Sequence, residues 1–275
     1  MNLLIASTFQ QLKANRRAAF IPFFAAGDPS IETTASLVKS AAVAGADIIE
    51  IGIPFPDTSA DGPVIQASYY RALENGFRIA HSMRMTGQLR RDGLKTPLVC
   101  MVSYTLVFKQ SIPVFFKACK SAGFNGLIIP DLPIGYEGDA VERAAELDLD
   151  LIFLATPTTT PERQKAIASR SSGFIYYVSV AGITGARAAL PLDLEQNVKN
   201  LQSLTTTPVC VGFGISTPDQ AARVGKIADG VIVGSALIKK IEEGIQAKLG
   251  EAALVRHVAP LLTELARSTH QSSRS

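Results

Sequence analysis

Two carboxylates, Glu50 and Asp61, flank a Pro/Gly-rich stretch that runs Ile51-Gly52-Ile53-Pro54-Phe55-Pro56-Asp57-Thr58-Ser59-Ala60. Glu50 stands inside the apolar run Ile48-Ile49-Glu50-Ile51, where an acid is rarely left without a reason. Apolar surroundings resist ionisation and raise a carboxyl pKa, which suits a group that must give and take protons near neutrality. A second acid in a different setting can stay ionised, so the pair can divide one proton-transfer reaction between them. Taken alone, Glu50 fits a structural acid capping a backbone amide as well as it fits a proton donor. Asp61 and the glycines further along favour chemistry.

Those glycines follow three apolar runs. Ala181-Gly182-Ile183-Thr184-Gly185 comes after Phe174–Val178, Gly212-Phe213-Gly214-Ile215-Ser216 after Val209–Val211, and Gly234-Ser235 after Gly230–Val233. Glycine lets a backbone approach an anion closely, and N–H groups at a helix start point towards it. Ser235 adds a hydroxyl. One such loop is as consistent with a tight turn; three in succession point to a phosphate site. No Walker-type Gly-Lys-Ser/Thr is present, so the expected ligand is a small phosphomonoester.

The elements that must carry these residues alternate. Apolar runs that read as strands are 20–25, 48–51, 98–102, 126–129, 151–154, 174–178, 209–211 and 230–233. Helical spacing falls between them at 31–44, 112–122, 136–147, 161–171, 194–204 and 217–224. Strands apolar throughout, alternating with helices, predict a parallel sheet covered by helices, and about eight such units predict a closed (β/α)8 TIM barrel. Ser30, Thr160 and Thr217 read as helix caps, and Gly45, Gly123 and Gly225 as helix ends. Leu4, Ile5, Phe9 and Leu12 predict an extra N-terminal helix plugging the barrel bottom, and Leu254, Val258, Leu261 and Leu265 a C-terminal one. One domain over 1–267 is expected, with a disordered tail over 268–275.

Composition narrows the classes. The 275 residues carry a formal net charge of +3 with no basic stripe, so nucleic acid is not an expected partner. No apolar run approaches a membrane span, and the start lacks a basic leader; a cytoplasmic protein is expected. Cys100, Cys119 and Cys210 are isolated, and His81, His257 and His270 stand apart from the acids. Neither a metal site nor a serine-type triad is expected.

In order along the chain, Phe23 with Gly27-Asp28-Pro29, the Glu50–Pro63 segment, Asp131-Leu132-Pro133, Gly182–Gly185, Gly212–Ser216 and Gly234-Ser235-Ala236 closely resemble the tryptophan synthase α subunit family. The resemblance spans about Phe20 to Ile241. It implies a barrel enzyme, a lyase, cleaving indole-3-glycerol phosphate into indole and glyceraldehyde 3-phosphate. By that resemblance Glu50 is the proton shuttle, Asp61 holds the indole N1–H, and Phe23, Met101, Ile128 and Tyr177 pack the indole ring. It also implies a β subunit partner in an α2β2 heterotetramer, with pyridoxal phosphate on that partner and no cofactor in this chain. The chain departs from the family's pattern at Pro56, Thr58 and Ser59, at Ser103 and Thr105, at Ile175, where a Tyr is common, and at Ala181. The loops after the second and third strands also meet the β subunit in the family.

Overall fold

The computed structural model describes residues 3–57, 61–179, 190–212 and 214–271. Its elements run α1 (Leu3–Ala14), β1 (Ala19–Ala25), α2 (Ile31–Ala44), β2 (Ile49–Gly52), α3 (Pro63–Glu74), α4 (Ile79–Arg91), β3 (Leu98–Met101), α5 (Tyr104–Gln110), α6 (Ile112–Ala122), β4 (Gly126–Ile128), α7 (Ala140–Glu146), β5 (Asp150–Ile152), β6 (Leu154–Ala155), α8 (Pro161–Arg170), β7 (Ile175–Val178), α9 (Leu194–Gln202), β8 (Val209–Gly212), α10 (Pro218–Ile227), β9 (Gly230–Val233), α11 (Ser235–Gln246) and α12 (Glu251–Gln271).

All the strand pairs are parallel, in the order β5-β4-β3-β2-β1-β9-β8-β7-β6. The two end strands are consecutive in the chain, separated only by Phe153, whose carbonyl accepts from Tyr176 N at 3.0 Å. They are the two halves of the strand expected over 151–154, bent so that one half pairs with β4 and the other with β7. That bend closes the barrel.

Two apolar layers result. Inside the barrel, alternate strand residues such as Ile21, Ile48, Val99, Ile128, Phe174 and Ile232 pack together, and Ile5, Phe9 and Leu12 of α1 join them as the expected plug. Leu4 faces outward. The other face of each strand packs against the helices, with Leu37, Phe115, Val224 and Leu262 in that outer layer. Burial on both faces is why these strands read apolar throughout.

The caps follow the side-chain chemistry. Ser30, Thr160 and Thr217 each accept a first-turn backbone N–H, and Gly45 and Gly123 end their helices at φ of 102° and 97°. Gly225 is different: it lies within α10, which continues to Ile227 and ends at extended Ala228. The expectation of a disordered tail from Ser268 is also corrected. α12 runs to Gln271; Thr269 is buried, and His270 Nε2 lies 2.7 Å from Asp47 Oδ2. Residues 272–275 lie outside the described residues. Helices α3, α4 and α5 were not among the helices expected from the sequence. In α4 two of the inward residues are Ser82 and Thr86, which dilute the periodicity.

Candidate active site

Parallel register sets the depth of each functional group. Glu50, on β2, pairs with Phe23 on one side and Val99 on the other, two residues before the strand's last residue, Gly52. It shares the inward face of β2 with Ile48. Its side chain is 1% exposed, and Oε2 has no hydrogen-bond partner among the described residues. Burial, and then the negative charge of Asp61, push the Glu50 carboxyl up to about 8. It is therefore mostly a neutral acid at pH 7.

Asp61 ends the loop after β2 and leads into α3, capped at Gly62. Gln66 Nε2 donates to the Asp61 carbonyl at 2.8 Å and holds that turn. Burial, and then nearby Asp131, raise the Asp61 carboxyl to about 6, which leaves it mostly ionised at pH 7. Two carboxyl groups with values this far apart can serve as acid and anion at one pH.

Three groups complete this side of the site, and none belongs to the expected set. Tyr69, on α3, lies over Gly52; its ring centroid is 6.5 Å from that of Phe23. A Cβ on Gly52 would stand 2.3 Å from the Tyr69 hydroxyl and 2.6 Å from the Phe23 ring, so only glycine fits there. Tyr69 sits on the inward stripe Ile65–Ser68–Tyr69–Ala72, a pattern that could have revealed it. Asp131 accepts from Ser103 Oγ at 2.8 Å and from Tyr104 N at 2.7 Å, tying together the loops after β3 and β4. It belongs to the Asp131-Leu132-Pro133 motif, which carried the resemblance without a role.

The third is Tyr176, and it corrects an expectation. Tyr177 packs in the outer layer, with Asp193 and Asn197 of α9 as neighbours; burial and then Asp193 push its phenol up to about 12. Tyr176 points inward instead, and burial, Glu50 and Asp61 raise its phenol well above the ordinary value. Its hydroxyl lies over Gly212, where a Cβ would come within 2.4 Å. In β7 the two tyrosines are adjacent, and strand alternation sends them to opposite faces. Ile175 shares the outward face with Tyr177.

Asp61, Tyr69, Met101, Ser103, Thr105 and Asp131 line a cleft of ≈ 90 Å³ together with Ile53 and Phe55. That is narrower than a full ligand pocket of a few hundred Å³, so it accommodates one end of a substrate. Ile128 lies in the barrel interior. A cavity of ≈ 850 Å³ lies at the opposite end of the barrel, between Phe9, Lys13 and Arg16 near α1 and the segment Thr205–Pro208. Size alone would favour it. It holds none of the acids with raised pKa, however, and active sites of this fold lie at the C-terminal ends of the strands.

Of the residues expected to receive an anion, Gly214, Gly234 and Ser235 lie at the C-terminal ends of β8 and β9, on the same rim as the acids. Gly234 directly follows β9 and caps α11, and a Cβ there would be 3.4 Å from the Phe23 ring. Leu237 N already donates to the Gly234 carbonyl at 2.9 Å, but the N–H groups of Ser235 and Ala236 open α11, where a helix start can receive an anion. Gly214 follows β8 with φ of 79°, a left-handed conformation that favours glycine. Thr184, Gly185 and Phe213 lie outside the described residues.

A family model described as the tryptophan synthase alpha chain matches residues 9–268. The chain belongs to the tryptophan synthase alpha chain family. A member from Rhodopirellula baltica is 42% identical over 272 residues, covering 98% of both chains. One from a Thermoanaerobacter species is 46% identical over 240 residues, 87% of this chain and 91% of that one. Among solved structures, tryptophan synthase subunit alpha from Legionella pneumophila superposes with a TM-score of 0.88 at 34% identity, covering 98% of each chain. Mycobacterium tuberculosis tryptophan synthase gives 0.87 at 32% identity over 97% of this chain and 98% of that one. The barrel is the family's fold, and the chain is a lyase of tryptophan biosynthesis in the alpha role.

Proposed function

We propose that this chain cleaves indole-3-glycerol phosphate into indole and glyceraldehyde 3-phosphate, with Glu50 as the proton shuttle and Asp61 as the anion that steadies the ring. Neutral Glu50 gives its proton to indole C3, and the ring becomes a cationic indolenine. Asp61, ionised, accepts the ring N1–H and offsets that charge. Glu50, now a carboxylate, takes the proton of the glycerol hydroxyl next to the ring. The C–C bond breaks, its electron pair returns to the ring, and an aldehyde forms on the departing fragment. Glu50 ends protonated, ready for another cycle, so the net change is one proton moved from oxygen to carbon.

The observation that carries this reading is a buried carboxyl without a partner on Oε2, beside a second acid of lower pKa. Phe23, Met101, Ile128 and Tyr176 surround the ring, while Gly214, Gly234 and Ser235 receive the phosphate with Thr184, Gly185 and Phe213. No cofactor is needed in this chain. The indole passes to a β subunit carrying pyridoxal phosphate, in an α2β2 assembly in the cytoplasm; the chain acts as one barrel domain that takes in α12 to Gln271. Membership of the family supports that partner, and no helix among the described residues is long and apolar enough to cross a membrane.

The test is indole release from indole-3-glycerol phosphate by the purified chain, alone and with a β subunit. Release in both, faster with the partner, is expected. No release in either assay rules the reading out.

A further inference from the structure

The motif Gly27-Asp28-Pro29 has no part in the proton transfer, yet Asp28 is a carboxylate only 1% exposed. Its charge is fully engaged. Arg71 Nε donates to Oδ1 at 3.0 Å and Nη2 to Oδ2 at 2.9 Å, a bidentate pair, and the Ser68 hydroxyl donates to Oδ2 as well. Arg71 then reaches across to a second acid: Nη1 donates to Glu242 Oε1 at 3.1 Å. Five donors in a rigid fork let one guanidinium hold two carboxylates in set directions, which lysine cannot do.

The three elements joined in this way matter. Asp28 is in the loop after β1, the strand of Phe23. Ser68 and Arg71 lie on α3, whose start follows Asp61 and whose inward face carries Tyr69. Glu242 lies on α11, the helix that opens at Ser235. One guanidinium thus spans the helix beside the acid end of the site and the helix at its phosphate end.

We infer that Arg71, held by Asp28 and Glu242, is a positioning residue that sets the distance between the proton-transfer end and the phosphate end of the site. This rests on the reaction proposed above. A substrate gripped at both ends reacts only if the span between the grips matches its length, and a misplacement of about 1 Å can cost on the order of 100-fold in rate. Each half of the substrate, bound alone, needs no such match.

That difference supplies the test. The Asp28→Asn/Arg71→Gln double variant removes the charge pair without stranding either partner, and Glu242→Ala cuts only the link to α11. Each is assayed with a saturating β subunit for kcat/KM on indole-3-glycerol phosphate, and, as the chain alone, for inhibition by indole and by glyceraldehyde 3-phosphate separately. For the double variant kcat/KM is expected to fall by roughly 10-fold or more while both fragment affinities stay within about threefold of the parent. Glu242→Ala is expected to show the same split at roughly threefold to 10-fold, and it decides the matter if the double variant does not fold. An unchanged kcat/KM, or fragment affinities that fall in step with it, overturns the clamp. A parent chain that releases no indole overturns both the clamp and the reaction on which it rests.

Discussion

Asp28 and Glu50 are carboxylates at the C-terminal ends of neighbouring strands, each 1% exposed, and the fold treats them in opposite ways. Around Asp28 both carboxylate oxygens meet donors, from Arg71 and Ser68. Around Glu50 the walls are apolar or acidic, Oε2 has no partner among the described residues, and the carboxyl keeps its proton up to about 8. A buried charge is tolerated when it is paired, and a buried acid without a pair becomes neutral instead. The first arrangement makes a structural joint. The second makes a proton donor.

The comparison breaks most sharply by exchanging the consequences of losing each group. Glu50→Gln is expected to lower kcat for indole release by roughly 10²–10⁴-fold, since a positioned acid–base group supplies about that much. Its thermal unfolding should be no worse than the parent's. A variant retaining a tenth or more of the parent rate would remove Glu50 from the shuttle role.

Arg71→Ala acts on the other acid and should do the reverse in kind, chiefly costing stability. It strands the Asp28 charge, and breaking a buried pair in this way costs about 3–5 kcal/mol. Chemical denaturation measures this; a loss below ~1 kcal/mol would mean that the pair is solvated after all.

The pH dependence sharpens the contrast further. kcat/KM should rise through about 6 as Asp61 ionises and fall beyond about 8 as Glu50 loses its proton. Stability has its own sign. The native state keeps the Glu50 proton between the ordinary glutamate value of 4.5 and about 8, where the unfolded chain has lost it. This group's contribution is therefore fully present below the lower value and is lost as pH rises through the window. The melting-temperature difference, Glu50→Gln minus parent, should be more positive at about pH 9 than at about pH 5. An identical difference at both would place Glu50 in water.

The smallest expected effect separates the two tyrosines of β7. Tyr177→Phe should leave kcat/KM within about twofold of the parent, whereas Tyr176→Phe, changing the interior face, should lower it by roughly threefold to 10-fold. The opposite ranking would reverse the assignment of faces.

Much of this architecture could be read directly from residue order. Strands buried on both faces must be apolar throughout, so the alternation with helices and the count of units were legible, and α2 and α6 fall at the expected bounds, Ile31–Ala44 and Ile112–Ala122. Glu50 was legible for the same reason, as an acid in an apolar run. Residue order alone left three things open. Which of Tyr176 and Tyr177 faces the site depends on the pleat of a strand apolar on both sides, where composition carries no direction. Asp28 was visible as a motif, but its partner Arg71 stands 43 residues along the chain, and Glu242, which Arg71 also holds, a further 171; the three meet only when the barrel closes. The pKa values of Glu50 and Asp61 likewise come from burial and from the charges of Asp61 and Asp131 respectively, quantities that exist only once distant segments share a space. Local chemistry is written in neighbouring residues; charge balance is written in the packing.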